Sequence, residues 1–146
     1  MRTIKFRGKR IDNGKWVYGD LFQPLGHYPI IINTEPDNKG KVAYIRTGVQ
    51  KETVGQFTGL TDKNGNEIYE GDILCWSDDK DRTFPMVVEY RHGAFGIVFT
   101  RNYFKSIADN PNFTFNPLDT DVDVEIIGNI HDNPELINGN YKEKEL

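Results

Sequence analysis

Apolar and polar residues alternate with a period of two along much of this chain, which predicts a protein built mainly of β-strands. At the start, Ile4 and Phe6 fall on one side, and Thr3, Lys5 and Arg7 on the other, giving a half-buried strand with a basic outer face. Asp12-Asn13-Gly14 follows. Asn-Gly favours a type I′ hairpin turn, whose two central residues both need positive φ, and Trp16-Val17-Tyr18 reads as the returning strand. Residues 23–41 are punctuated by Pro24, Gly26, Pro29, Pro36 and Gly40, so they read as loop around a short strand Ile30-Ile31-Ile32. Val42-Ala43-Tyr44-Ile45 is the next candidate strand.

A second unit of the same kind begins near Val54. Asp62-Lys63-Asn64-Gly65 reads as a turn, Glu67-Ile68-Tyr69 as a short strand, and Gly71-Asp72 as a bend into the apolar strand Ile73-Leu74-Cys75-Trp76. Gly71 allows a sharp bend or positive φ without a Cβ clash, and the Asp72 carboxylate can accept nearby backbone N–H groups at the corner. Residues 77–82 are a charged loop, and Met86–Tyr90 and Phe95–Phe99 form a hairpin across Arg91-His92-Gly93-Ala94. Asp121, Asp123 and Glu125 alternate with Val122, Val124 and Ile126, one more strand with an acidic wet face. Asn133-Pro134-Glu135 reads as a helix start, with Asn as N-cap and Pro at the first helical position; residues 100–109 are the best of a weak set of other helical stretches. Short strands separated by Gly-rich turns predict a small barrel or sandwich. Asn13-Gly14 through Leu21 also echoes Asn64-Gly65 through Ile73, as turn, aromatic-ended strand, Gly-Asp bend and apolar strand.

The stretch from Val54 to Ile73, VGQFTGLTDKNGNEIYEGDI, resembles the YopX family of phage and prophage proteins. The opening Ile4-Lys5-Phe6-Arg7-Gly8-Lys9-Arg10 and the late segment Val124–Leu136 are similar to that family's two ends. The resemblance implies an SH3-like small β-barrel in the C-terminal part, and with the strand and helix readings above the expected fold is mainly β, with a β-rich N-terminal lobe and a short C-terminal helix. The expected divisions are 1–53 for the lobe, 54–132 for the barrel and 133–146 for the helix and tail. It also implies a phage or prophage origin, hence a bacterial host. It brings no activity, cofactor or catalytic residue.

Composition narrows the class. The 146 residues are 37% hydrophobic and 12% aromatic, enough to fill a core. No apolar run is long enough to cross a membrane, and Met1–Arg7 lacks the apolar stretch of a signal peptide. The single Cys75 forms no intrachain disulfide, which fits a reducing cytoplasm; beside Trp76 it reads as a buried structural thiol. Charge is uneven: residues 1–60 carry ten Lys and Arg against five Asp and Glu, a net +5, whereas residues 61–146 carry eight against seventeen, a net −9. Attraction between the halves favours their packing together or head-to-tail contact between subunits.

Candidate chemistry is sparse. His27, His92 and His131 lie in unrelated contexts, with no close-spaced ligand pair. Asp119, Asp121, Asp123 and Glu125 share a strand face, but same-face neighbours about 7 Å apart are too widely spaced to hold one ion unaided. A nucleophile elbow, a phosphate-cradling loop and a dinucleotide fingerprint are all missing. The basic stripe Arg2, Lys5, Arg7, Lys9 and Arg10, with Phe6 and Trp16 nearby, is the candidate contact for nucleic acid or a protein partner. Asn64, Gly65, Gly71 and Asp72 are expected to be structural. The sequence therefore points to a non-enzymatic accessory protein without a cofactor, acting by protein–protein contact and self-assembling. The alternative is a small nucleic-acid-binding regulator that uses the basic stripe, with an enzyme third.

Overall fold

The computed structural model describes residues 1–99, 115–118 and 123–137. The chain divides into two compact units, Met1–Gly59 and Leu60–Leu146. The first holds strands β1 (Phe6–Lys9), β2 (Trp16–Phe22), β3 (Ile30–Pro36) and β4 (Val42–Gly48) and most of β5 (Gly55–Thr61). The second holds β6 (Glu67–Tyr69), β7 (Asp72–Trp76), β8 (Met86–Arg91), β9 (Ala94–Phe99), β10 (Phe115–Pro117) and β11 (Val124–Asn129). The fold is mainly β. Among the described residues only two short 3₁₀ turns, Lys51–Thr53 and Pro134–Leu136, are helical.

In the first unit the strands lie in the order β4-β3-β2-β1-β5, every neighbouring pair antiparallel. Registers fix which side chains share a face, because opposed residues point the same way. Phe6, Gly8, Val17, Leu21, Ile31 and Thr47 lie on one face. Ile31 and, just beyond β4, Val49 are fully buried. Gly8 is needed there, since a Cβ would sit 2.9 Å from the Val49 side chain. The chain after β4 is tied back to β1: Gln50 N donates to Lys9 O at 2.8 Å, and Lys9 N donates to Thr53 Oγ1 at 2.8 Å.

In the second unit the order is β10-β9-β8-β7-β11, again antiparallel. Apolar side chains cover both faces of this sheet. Ile68, Leu74, Met86, Val88, Ile97, Phe99 and Val124 form one cluster, and Ile73, Val87 and Ile137 form another. A strand with core on both sides carries an unbroken apolar run rather than an alternating one, which is why Ile73 through Cys75 are all buried. The sheet ends at β10 and β11, and no closed barrel is found, so the expected SH3-like closure is absent among the described residues. The expected C-terminal helix is a single 3₁₀ turn. Pro134 starts it as expected, but the Asn133 side chain does not cap it; its Oδ1 accepts Asn129 N at 3.2 Å instead. The expected helical stretch 100–109 lies outside the described residues.

Turn chemistry differs from expectation at Asn13-Gly14. Gly14 has φ +71° but Asn13 is not in the left-handed region, and the loop closes through Arg10 N to Lys15 O at 2.8 Å, too wide for a two-residue type I′ turn. The type I′ pattern occurs at His92-Gly93 instead, where φ is +53° and +78° and Arg91 pairs directly with Ala94. Asp62–Asn66 and Asp37–Lys41 share a third design. Asp N donates to the backbone O four residues on, the following Gly (65 or 40) has positive φ and donates to Asp O, and Asp Oδ1 accepts two backbone N–H groups. This is a three-residue loop closed by a left-handed glycine. The turn that echoes Asn64-Gly65 in the other unit is therefore Asn38-Lys39-Gly40.

Candidate functional site

The bend residues are structural. Gly71 has φ +88°, its N–H donates to Val88 O at 2.9 Å and its carbonyl accepts Ile130 N at 2.9 Å. Asp72 is buried and takes Tyr69 N at 2.7 Å, closing the corner between β6 and β7. Asp62, read from the sequence only as part of a turn, holds more. Its carboxylate accepts Asn64 N and Asn66 N, both at 2.9 Å, and Ile126 N at 3.2 Å, so it ties a local turn to the start of β11. Burial by itself would raise its pKa, but these bonds and one from the Asn66 amide outweigh that and hold it below the usual value.

The basic stripe is not the outer face of β1. Arg7 is only 6% exposed, and its guanidinium lies 4.6 Å from the Trp16 ring centre. Lys9 Nζ lies 5.7 Å from the same ring and Lys5 Nζ 5.4 Å from that of Phe57. Cation–π attraction and the apolar stems of these side chains explain why cations sit half-buried where alternation predicted a wet face. Arg10 makes a two-point contact with Asp12, Nε and Nη2 each at 2.8 Å. That hydrogen bond holds the Asp12 pKa down and raises that of Arg10. Arg2 is exposed.

The unusual surface lies further along the same sheet face. The registers place Tyr18, Asp20 and Phe22 of β2, Ile30 and Ile32 of β3, and Val42, Tyr44 and Arg46 of β4 on the face that carries Arg7 and Lys9. Burial falls away across it. Phe57 and Arg7 are buried and Trp16 is half-buried, yet Tyr18 is 45%, Phe22 52%, Val42 61% and Tyr44 65% exposed. Sequence reasoning missed these residues. The signal was present in Val42-Ala43-Tyr44-Ile45, where consecutive apolar side chains leave one face of an edge strand greasy whichever face is buried.

Beside this face is a cleft of about 370 Å³ lined by Arg10, Ile11, Asp12, Tyr28, Ile45, Arg46, Thr47 and Gly48. Tyr28 lies against Gly48, where a Cβ would come within 2.6 Å of its ring. Other candidate chemistry is placed apart or spent on structure. His27 Nδ1 is 3.1 Å from Tyr28 O, His92 sits in the β8–β9 turn, and His131 N donates to Asn129 Oδ1. Of the acidic row, Asp119 and Asp121 lie outside the described residues, Asp123 accepts Ser77 Oγ at 2.8 Å and Glu125 pairs with Lys63 at 3.2 Å. Among the described residues no three metal-ligating side chains gather. Cys75 is buried, and burial first, then the Asp79 charge, pushes its thiol up to about 11. No helix among the described residues is long and apolar enough to cross a membrane.

These features define an all-β protein of two antiparallel sheets, one of which exposes an aromatic face at its free end. The chain belongs to the YopX protein family, which matches residues 5–138. Among solved structures it is similar to protein EF1440 from Enterococcus faecalis, with 22% identity over 94% of this chain and 99% of that one and a TM-score of 0.53; the likeness is one of fold. No curated protein matches it.

Proposed function

We propose that the protein is a non-enzymatic phage or prophage accessory protein that works by contact with another protein, docked on the open face of β2, β3 and β4. The observation that supports this reading is the group Tyr18, Phe22, Val42 and Tyr44, exposed together on one sheet face beside Arg46. Aromatic residues and Arg are the side chains that interface cores favour, and an apolar patch of this kind gains free energy when a partner removes it from water. The partner's chemistry follows from charge. Residues 1–60 carry a net +5, so the complementary surface is apolar at its centre and bordered by carboxylates. A protein is favoured over nucleic acid because the stripe offers no exposed row of cations, with Arg7 buried against Trp16 and Arg10 held by Asp12, whereas the exposed side chains of the face are mainly apolar and aromatic.

The test compares wild type with the triple variant Tyr18→Ser, Phe22→Ser, Tyr44→Ser. Both are used to capture proteins from a lysogenic host, and both are tested for retention of a poly-dT oligonucleotide and of duplex DNA at low salt. The reading predicts a defined protein retained by wild type and lost by the variant, with no oligonucleotide retained by either. The same proteins on both baits, or salt-sensitive retention of DNA, would overturn it.

A further inference from the structure

β4 ends its sheet, and among the described residues its outer side is open over residues 42–46; beyond that, Arg10 bridges Val49. In an antiparallel pair, alternate residues turn their N–H and C=O groups toward the neighbouring strand, and the residues between turn theirs away. Asp37 N donates to Lys41 O at one end of the β3–β4 hairpin, and Val49 N donates to Pro29 O at the other. Both fix the odd-numbered residues of β4 as the ones bonded to β3. Val42, Tyr44 and Arg46 therefore direct their backbone groups outward. Among the described residues nothing bonds to those groups, and the outward carbonyl of Gly48 alone is taken, by Ile11 N at 3.1 Å.

Natural edges are blunted by proline, charged side chains, a bulge or a covering loop. β4 has no proline, and its register with β3 runs from Ile30 opposite Gly48 to Pro36 opposite Val42 without a shift. Its one charged residue, Arg46, makes no ion pair among the described residues.

We infer that β4 pairs edge to edge with β4 of a second copy of this chain, antiparallel about a two-fold axis at Ile45. The strand's own sequence supplies the complement. With the axis at Ile45, Tyr44 stands opposite the partner's Arg46 and Arg46 opposite the partner's Tyr44, so each ring meets a guanidinium that has no anion of its own. The same register opposes outward-turned residues only, so Tyr44 and the facing Arg46 exchange both backbone hydrogen bonds. On the other face Ile45 meets its own copy. An axis at Arg46 would oppose two guanidinium groups, and an axis at Tyr44 would set Arg46 against Val42; the Ile45 register avoids both. The pairing is isologous, which makes a closed dimer rather than a chain of subunits. It differs from head-to-tail contact between oppositely charged halves and does not depend on the docking face having a protein partner.

Site-specific crosslinking of the full chain tests the pairing. Residues opposed at the axis form a non-hydrogen-bonded pair with close Cβ atoms, so Ile45→Cys is expected to give a covalent dimer under mild oxidation, while Ala43→Cys is not. Buried Cys75 does not compete. Tyr44→Pro removes an outward N–H without touching the β3 ladder, and should raise the dimer dissociation constant, measured by sedimentation, about tenfold or more, the equivalent of one or two backbone bonds. Arg46→Glu should weaken the dimer in the same direction. Wild type that sediments as a monomer at every concentration, or crosslinking at Ala43→Cys as efficient as at Ile45→Cys, overturns the seam. A monomer that still captures a protein in the assay above sinks the seam alone and leaves the docking face standing; a dimer that captures nothing does the reverse.

Discussion

Gly71, Asp72, Asp62 and Cys75 show how much single side chains decide here. Gly71 sits at φ +88°, and both its backbone groups are engaged, so the corner cannot relax around a branched side chain. Gly71→Val is expected to cost about 1–3 kcal/mol in denaturant unfolding, and an unchanged midpoint would contradict the geometry. Cys75, the chain's single thiol, has its pKa raised to about 11. A thiol reagent at pH 8 should leave the native protein unlabelled while the urea-unfolded chain reacts fully; rapid native labelling would refute the burial. Asp62 governs the acid side. Its folded pKa is below the ordinary 3.8, so the unfolded chain takes up a proton first as pH falls. Its stabilisation is fully present above the unfolded pKa and is lost as pH drops through the folded one. Urea midpoints below pH 4 should therefore fall more steeply for wild type than for Asp62→Asn, and parallel curves would exclude the assignment. The bend at Gly71 was legible as a sharp bend or positive φ, but the dipeptide does not decide between conformations: Gly19-Asp20, expected to bend in the same way, lies within extended β2. The Asp62 to Ile126 bond was not legible, because nothing local to Asp62 reveals a partner sixty-four positions away.

Elements were legible where a period of two had a single buried face, and less so where tertiary context set the rule. The strands at 16–22, 30–36, 42–48 and 86–99 follow the predicted runs, with β3 extending through residues first read as loop. Alternation placed Arg7 outside, and it lies inside because Trp16, opposite Lys9 on the same face, offers its ring to a cation. Asn-Gly predicted a type I′ turn at 13–14, but the type I′ turn is at His92-Gly93; flanking register, not the dipeptide alone, selects the turn. The two Asp-x-x-Gly loops give a comparison at this scale. Asp37 is exposed and among the described residues its side chain bonds within its own loop, whereas Asp62 is buried and also reaches β11. Asp37→Ala should cost about 0.5–1 kcal/mol and Asp62→Ala about 2–3 kcal/mol, the difference reflecting buried N–H groups left without an acceptor. Equal costs measured by chemical denaturation would show that the two loops are not anchored as described.

Taken whole, the molecule has a well-filled second sheet with apolar clusters on both faces and a first sheet whose outer strands leave aromatic side chains in water. The sequence resemblance reached the family, now shown over residues 5–138, whereas the barrel it implied is not confirmed: among the described residues the second sheet has five strands and no closure is found. The face of β2–β4 could not be read from the sequence because exposure depends on strand order, and strand order is set by long-range pairing. The proposed function rests on that face, where Tyr18, Phe22, Val42 and Tyr44 are exposed, while Arg7 and Lys9 lie over the Trp16 ring. The most direct measurement is amide hydrogen exchange on the protein alone and bound to the protein it captures from the lysogenic host. New protection should concentrate in 16–22, 30–36 and 42–48. Protection that appears only in residues 60–137, with β2–β4 unchanged, would contradict the account.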